Sequence, residues 1–330
     1  MSTTPGLGIG TDELLAAARR GDGDAFQSLV APHLRALHVH SYRMLGSYSD
    51  AEEAVQEVLV RAWRGLSGYR GTAPLRHWLY RITTTTCLKM INRRGRDPLT
   101  TADVAWLQPY PDVRLDQLTD PDADPAAIIE RRESVALAFI AALQLLPGTQ
   151  RAALILRDVL AWPARDVADL LDTTVAGVNS SLQRARVTLA QTHGSETITA
   201  TPRPTGERER RVVEAFLRAW QDCDIPALAA LLRDDATLTM PPQAIRIVGS
   251  AAVAGFFATV PADGRLDLIR LVTSRANGHP ALAAYLPDDS ADGCRGYGIM
   301  VLTIGGDRVA SITGFPDPDL FPVFDLPVTR

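Results

Sequence analysis

The chain has 330 residues, which is enough for two or three domains with their own hydrophobic cores. With 46% apolar and 22% charged residues it has the composition of a soluble globular protein, and its net charge of −4 conceals a basic stretch in an otherwise acidic sequence. The cysteines are widely spaced, no apolar signal core follows Met1, and the longest apolar run, 135–146, is too short for a bilayer. We therefore expect a cytoplasmic protein without a disulfide framework, metal site or cofactor.

Two helices are predicted at the start of the chain. Thr11 is expected to cap the first helix and Asp24 the second. His38 and His40 are two residues apart and point in different directions on a helix, which favours a surface or partly packed role over a metal site.

The stretch from 49 to 96 changes its charge partway along. Ser49 and Glu52 match a capping box that begins a helix with an acidic outer face. From 58 to 96 there is no Asp or Glu, whereas nine Lys and Arg residues are interleaved with Trp63, Tyr69, Trp78 and Tyr80. Positive charge and flat rings suit unpaired nucleic acid, although charge alone leaves a solvated basic face equally open.

The basic part contains a second predicted helix, which Thr72 and Pro74 start after a glycine-containing loop at 65–71. Its spacing predicts an inward stripe and an outward face. The inward stripe is Leu75, Trp78, Leu79 and Ile82, and the outward face is Arg76, His77, Tyr80, Arg81 and Thr84.

Motifs at 14–22, 42–47, 49–57, 61–64 and 75–82 resemble region 2 of sigma-70 family initiation factors, specifically the extracytoplasmic-function group. The resemblance implies a domain over 11–96. Its acidic helix would dock on the β′ clamp helices of core RNA polymerase, and its loop and basic helix would hold the melted promoter element nearest the start site. The core-binding residues would be Asp50, Glu52, Glu53, Gln56 and Glu57, and the downstream-promoter residues Arg61, Arg76, His77, Trp78, Tyr80 and Arg81.

Residues 97–125 lose the helical period and are rich in proline and aspartate, which favours an extended segment. A plain linker is one interpretation. In the sigma family, the equivalent linker threads through the core enzyme along the path of the nascent RNA. The stretch 106–112 also matches members of a subgroup that carries a further C-terminal domain.

Helical periodicity returns over 126–192, with breaks at Pro147, before Pro163 and at Asp172. The last helices form a predicted helix-turn-helix. Residues 146–152 and 170–186 resemble sigma region 4, which reads the upstream promoter element in the major groove, although Asp172 stands where glycine is common. The upstream-promoter residues would be Thr174, Ala176, Asn179, Ser180, Gln183, Arg184 and Arg186.

After a second linker at 193–206, the segment 207–330 reads as an α+β domain. Helices are predicted at 212–220 and 225–232, and strands at 236–240, 266–274, 281–286, 296–304 and 308–312, with a hairpin turn at Gly305–Asp307. Motifs at 215–220, 231–236, 240–242 and 315–321 resemble a SnoaL-like domain of the NTF2-like cone fold.

The whole sequence therefore resembles a multidomain sigma factor with two all-α domains followed by an α+β cone. Its expected partners are core RNA polymerase, through the β′ clamp helices and the β subunit, and promoter DNA. The cone is expected to regulate, with an unknown small ligand left open, and its apolar tail at 320–324 would dock on another surface or close the cone itself. The alternative is an isomerase or cyclase that uses Asp267, Tyr285 and Tyr297.

Overall fold

The structure is a computed structural model and describes residues 10–94, 107–116, 134–192, 206–288 and 293–330. The described residues form two compact units. The first unit contains 10–94 and 146–188, and the second contains 107–116, 134–145, 189–192, 206–288 and 293–330. No helix in these ranges is long and apolar enough to cross a membrane.

The elements are numbered in chain order. The helices are α1 (Thr11–Arg19), α2 (Gly23–Leu45), α3 (Tyr48–Gly65), α4 (Leu75–Arg94), α5 (Asp112–Asp116), α6 (Leu137–Gln144), α7 (Gly148–Leu154), α8 (Ala164–Leu170), α9 (Val175–Thr192), α10 (Gly206–Gln221), α11 (Ile225–Leu231), α12 (Ser250–Thr259) and α13 (Leu320–Val323). The strands are β1 (Leu232–Met240), β2 (Gln243–Val248), β3 (Arg270–Ala276), β4 (His279–Pro287), β5 (Cys294–Gly305) and β6 (Arg308–Phe315).

The helix caps differ from the sequence predictions. Asp22, not Asp24, caps α2, because its side chain accepts a hydrogen bond of 3.0 Å from the Ala25 amide. Thr11 is the first helical residue of α1 and not its cap. At the start of α3 the predicted capping box of Ser49 and Glu52 is also wrong.

Ser47 caps α3, since its hydroxyl accepts from the Asp50 amide at 3.2 Å. The preceding residue, Gly46, adopts a left-handed φ of 76° and ends α2. Two helices thus meet within two residues, and this places the cap two positions earlier than predicted.

Helices α2, α3 and α4 share one core. Its fully buried side chains include Leu37, Tyr42, Ala51, Ala54, Val58 and Leu79. His40 also lies in this core, with Nε2 2.9 Å from Oγ1 of Thr84. Both side chains are fully buried, so the predicted partial exposure of His40 and outward direction of Thr84 are wrong.

A buried arginine fixes α7 against the same core. The Arg151 guanidinium donates to the Met44 carbonyl and, at 3.0 Å, to the Leu146 carbonyl. Gly148 lies so close to α4 that a Cβ would stand 2.9 Å from the Leu88 side chain. These contacts join α7, which precedes the helix-turn-helix, to α2 and α4 within the first unit.

The predicted helix-turn-helix is present in α8 and α9. Helix α8 begins after Pro163, as predicted. Asp172 adopts φ 52° in the turn, the left-handed conformation for which glycine is usual and which Asp tolerates better than most residues. Val175 is 43% exposed, because it lies in the first turn of α9.

The second unit is built on a six-stranded sheet in the order β2-β1-β6-β5-β4-β3. Its neighbouring strands are antiparallel except for β1 and β6, which are parallel. The core against the sheet includes Phe216, Trp220, Leu228, Phe257, Leu302 and Ile312. Strand β2 and helix α12 were not predicted, and β3 begins at Arg270, after a short 3-10 turn at 266–268, and not at Leu266 as predicted.

The C-terminal tail closes the second unit's own core. Phe321 of α13 is fully buried and meets Tyr285 edge-on, with ring centroids 4.9 Å apart. Gly296 makes room for it, since a Cβ there would lie 2.7 Å from the Phe321 ring. Of the two predicted roles of the tail, docking on another surface is therefore wrong, and closing the cone is confirmed.

Candidate functional site

The acidic side of α3 is only partly as the sequence predicts. Glu52, Glu53, Gln56 and Glu57 are exposed on one side of the helix. Asp50 is turned away, with a side chain only 16% exposed and ion-paired to Arg94. The exposed acidic face is therefore Glu52, Glu53, Gln56 and Glu57, a name we keep for these four residues.

Arg61 was predicted to contact the downstream promoter element. Its Nε lies 2.5 Å from Oε1 of Glu57, one turn earlier on α3. An exposed pair at this spacing contributes only about 0.3–0.5 kcal/mol, so it holds the Arg61 side chain only weakly.

Helix α4 carries the predicted downstream-promoter residues in two different settings. Arg76 and Arg81 are exposed, and His77 and Trp78 are half-buried. Tyr80 is 2% exposed, so the prediction that it faces outward is wrong.

The burial of Tyr80 comes from a residue distant in sequence. Trp162, in the turn before α8, stacks on His77 with centroids 4.1 Å apart and meets Tyr80 at 5.2 Å. The His40 ring lies 5.0 Å from the Tyr80 ring, and the Arg76 guanidinium lies over the Tyr80 ring at 5.5 Å from its centroid. No pattern within α4 could have indicated this packing, because Trp162 lies some eighty residues further along the chain.

The loop at 65–71 is pinned at one end and exposed over its middle. The Tyr69 hydroxyl donates to the Ala73 carbonyl at 2.7 Å, and its ring lies 5.1 Å from that of Trp78. Ser67, Gly68 and Arg70 are exposed. A basic, ring-containing loop thus lies next to α4, as the sequence predicts.

Helix α9 presents most of the predicted upstream-promoter residues to solvent. Thr174 precedes it, and its Oγ1 accepts from the Gly177 amide at 3.1 Å. Asn179, Gln183 and Arg184 are exposed, and Ala176 lies on the same exposed surface. This arrangement can present amide and guanidinium groups to base edges.

Two polar contacts restrain the basic residues of α9. Arg184 donates to the Ser180 hydroxyl at 2.7 Å. Arg186 forms a bidentate ion pair with Asp158, with the shortest contact at 2.9 Å. The positive charge of Arg186 is thus partly neutralised, which the sequence pattern of α9 alone does not indicate.

Part of the predicted acidic linker is not extended, contrary to the sequence prediction. In the described residues 107–116, the chain forms α5, and Tyr110 and Asp112 are buried against the cone. Pro111 forms an isolated antiparallel bridge with Ala276. Residues 107–116 are therefore docked on the turn between β3 and β4 within the second unit.

Asn277 is the centre of this docking contact. Its Oδ1 accepts from the Tyr110 amide at 2.7 Å, and its Nδ2 donates to the Val135 carbonyl at 2.5 Å. Its own amide donates to the Tyr110 carbonyl at 2.8 Å. The buried Asn277 side chain thus forms hydrogen bonds with main-chain groups on both sides of α5. The backbone of Asn277 is left-handed, with φ 55°.

Asp112 adds a charged contact to the same turn. Its carboxylate accepts from the Gly278 amide at 2.7 Å and lies 3.3 Å from Nε of Arg275. Arg275 also pairs with Glu209 at 2.5 Å. The Asn277–Gly278 dipeptide, a strong hairpin-turn signal, could have indicated this turn from the sequence.

The three residues of the alternative enzyme hypothesis do not come together. Asp267 is exposed and pairs with Arg265 at 2.7 Å, and this hydrogen bond lowers the pKa of its carboxyl to about 2. The Tyr285 hydroxyl donates to the Pro327 carbonyl at 2.9 Å, whereas Tyr297 lines a separate apolar cavity. Within the described ranges, no group of three or more His, Cys, Asp or Glu side chains could hold a metal ion.

Comparisons with known families match all three parts of the chain. The model of Sigma-70 region 2 matches residues 29–97, that of Sigma-70, region 4 matches 136–189, and that of the SnoaL-like domain matches 213–312. The order of these matches is the order predicted from the sequence motifs.

Individual relatives extend these matches to nearly the whole chain. The ECF RNA polymerase sigma factor SigG of Mycobacterium tuberculosis is 40% identical over 329 residues, covering 94% of this chain and 86% of the relative. SigJ of the same organism is 30% identical over 295 residues, covering 85% and 88%. The crystal structure of SigJ covers 93% of this chain and 100% of its own, with a TM-score of 0.60 at 24% identity. The predicted fold class is confirmed.

Proposed function

The chain belongs to the extracytoplasmic-function RNA polymerase sigma factors, and from this premise we propose how its parts divide the work of initiation. The exposed acidic face of α3 binds the β′ clamp helices of core polymerase, with a further contact to the β subunit. This assignment is supported by the exposure of all four side chains and by their position on one side of a capped helix. Asp50 stabilises the fold through its ion pair with Arg94 and does not take part in the interface with core polymerase.

Promoter DNA is bound at two places. The loop at 65–71 and the α4 residues Arg76, His77 and Arg81 hold the melted downstream element, where guanidinium groups meet phosphates and rings meet bases. Helix α9 enters the major groove at the upstream element, where Asn179 and Gln183 read base edges and Arg184 contacts phosphate.

The cone regulates this activity and does not catalyse a reaction. The observation that carries this proposal is the docking of 107–116 on the cone through Asn277, Asp112 and Arg275. A linker bound in this way cannot also lie extended along the core enzyme, so the cone and the polymerase compete for the same segment. The separation of Asp267, Tyr285 and Tyr297 further supports a role without acid-base catalysis.

Transcription from a promoter library with purified core polymerase tests the proposal as a whole. The full chain should direct initiation at a defined set of promoters that share an upstream and a downstream element. Core polymerase without the chain should not. Equal output from both preparations would overturn the proposal.

A further inference from the structure

The loop between α3 and α4 contains a turn that one side chain closes. The Tyr69 hydroxyl donates to the Ala73 carbonyl at 2.7 Å, so residues 69–73 form a closed ring that we call the Tyr69 turn. Gly71, within this turn, has a left-handed φ of 73°, a conformation that glycine adopts without steric strain. Arg70 is exposed in the same turn. The Tyr69 turn therefore presents a guanidinium group beside the start of α4.

Two helices hold Tyr69 in place. Its ring lies 5.1 Å from that of Trp78 on α4. Its carbonyl accepts a hydrogen bond from the guanidinium of Arg19, the last residue of α1, fifty residues earlier in the sequence. Helix α1 also contacts the 3-10 turn at 66–68, which leads into the Tyr69 turn. The side chain of Tyr69 is thus tied to α4 and its main chain to α1.

The position of Arg19 is set by the tight connection between α1 and α2. Ala18 is buried, since α1 packs against α2. The Gly21 amide donates to the Ala18 carbonyl at 3.0 Å where α1 ends, and Asp22 then caps α2. Arg19 therefore extends from a helix end that other contacts already order, so it can restrain the loop with little further loss of backbone entropy.

The side chain of Arg19 has no competing partner. In the part of the chain that the structure describes, it bonds to the Tyr69 carbonyl alone and forms no ion pair with a carboxylate. The next residue, Arg20, is also exposed, and its side chain has no hydrogen bond or ion pair to any described residue. The two arginines thus carry the same charge at neighbouring exposed positions, but only Arg19 holds the loop.

We propose that Arg19 is a positioning residue of the downstream-promoter site, which holds the Tyr69 turn so that Arg70 meets a phosphate of the melted strand. The inference rests on the proposed function of the loop at 65–71 and adds α1 to the elements that serve it. A loop that is already ordered loses less conformational entropy when the strand binds. Freeing the backbone of one loop residue corresponds to a factor of about five to thirty in affinity.

Millisecond hydrogen exchange of the full chain, without DNA, tests the restraint directly. Arg19→Met keeps an unbranched side chain but removes the donors, and amide exchange over 66–73 should become about fivefold faster or more. The matched control Arg20→Met should exchange as the parent does. Arg19→Lys, which keeps a donor and the charge, should move exchange back towards the parent. Unchanged exchange in Arg19→Met would refute the restraint.

Strand binding by the holoenzyme tests the consequence of the restraint. The probe is a labelled single-stranded oligonucleotide that carries the downstream element of a promoter selected from the library. Arg19→Met should raise its Kd by about fivefold to thirtyfold, whereas Arg20→Met should leave it unchanged. In an Arg70→Ala background most of this loss should disappear, because Arg19 acts through that residue. A full further loss there would show that Arg19 contacts the strand itself, and would overturn the positioning role.

The parent holoenzyme separates failure of this inference from failure of the proposed function. If the parent does not bind the oligonucleotide, the assignment of the loop to the melted strand is wrong, whatever the exchange measurements show. If the parent binds and Arg19→Met binds equally well, the loop assignment stands and the role of Arg19 is refuted. Binding of the same holoenzymes to duplex DNA with the upstream element alone should be equal, since α1 is remote in function from α9.

Discussion

The indole of Trp162 is stacked on the imidazole of His77, with ring centroids 4.1 Å apart. Trp162 also covers Tyr80, and Asp166 of α8 lies 4.0 Å from the His77 ring nitrogen. The aromatic side of α4 is thus occupied by a ring of the protein's own helix-turn-helix segment. A promoter base that stacks on Tyr80 has to displace Trp162 first.

We predict that Trp162→Ala strengthens binding of the melted downstream strand to the free protein. Stacking of a base is worth about 1–3 kcal/mol, so removing the competing ring should lower the Kd by about fivefold to 140-fold. Fluorescence anisotropy with a labelled single-stranded oligonucleotide, in the absence of polymerase, measures the change.

Two controls separate this effect from a general change in charge or fold. Trp63→Ala removes an exposed indole on α3 that packs against Phe26 and not against Tyr80, and it should leave the Kd unchanged. In Trp162→Ala, a further Tyr80→Ala should cancel the gain. If the single variant binds no better than the parent, Trp162 does not compete with DNA.

The acidic face of α3 and its neighbour Asp50 should respond differently to substitution. Glu53→Lys reverses an exposed charge and should weaken core-polymerase binding while changing the free energy of unfolding by no more than about 0.5 kcal/mol. Asp50→Asn breaks the pair with Arg94 and should lower that free energy by up to about 1 kcal/mol with core affinity unchanged. Binding titrations and urea unfolding check both. The reverse pattern would place Asp50 in the interface.

Helix α9 allows base reading to be separated from phosphate contact. Asn179→Ala should cost about 1–3 kcal/mol at the preferred upstream sequence and little at others, if the amide pairs with a base edge. Arg184→Ala should weaken binding to all sequences. It should also reduce the slope of log K against log salt concentration by about one unit. Binding of holoenzyme to upstream-element variants over a salt series measures both. A uniform loss from Asn179→Ala would show that another part of α9 reads the bases.

Local signals in the sequence predicted most of the helices and strands and the order of these elements along the chain. Prolines mark the starts of helices, as Pro163 does for α8, and Asp172 occupies a left-handed turn position that few residue types accept. Alternating apolar runs predicted five of the strands, whereas β2 was missed because it is short and half-exposed at the edge of the sheet. Periodicity identifies an element but not its neighbours.

The parts of the site that could not be predicted depend on contacts between distant segments. The helical period of α4 predicts that Tyr80 faces outward. In the structure Tyr80 is buried, because Trp162 covers it. Asp112 looks like one charge of a solvated linker, but it is buried by Gly278 and Arg275. In both cases the deciding partner lies more than eighty residues away in the sequence, beyond the reach of any local pattern.

We predict that loosening the linker contact changes promoter output without changing promoter choice. Asn277→Ala removes the side-chain bonds to Tyr110 and Val135 and should release 107–116 from the cone. At a limiting concentration of the variant, transcription with core polymerase should then be higher than with the parent, because the linker is available to the core enzyme. Arg270→Ala, an exposed arginine on the same hairpin, should have no effect. Identical output from Asn277→Ala and the parent would contradict the regulatory role of this contact.

The last prediction concerns the pH dependence of stability and rests on His40. Burial, and secondarily the nearby Arg43 charge, lower the pKa of the His40 imidazole to about 3, and its Nε2 lies 2.9 Å from Oγ1 of Thr84. The folded state holds the ring neutral, whereas the unfolded state binds a proton below about pH 6.5. The contribution of His40 to stability is therefore fully present above about pH 6.5 and is lost as the pH falls towards 3.

The variant His40→Gln keeps a side chain that can bond to Thr84 but removes the titration. When the pH is lowered from 7.5 to 5, the free energy of unfolding of the parent should fall by roughly 2 kcal/mol more than that of the variant. Urea unfolding at the two pH values measures it, and using the difference cancels the titration of groups that both proteins share. A difference that is the same at both pH values would mean that the imidazole is protonated equally in the folded and unfolded chains, and that burial at the base of Tyr80 does not hold it neutral.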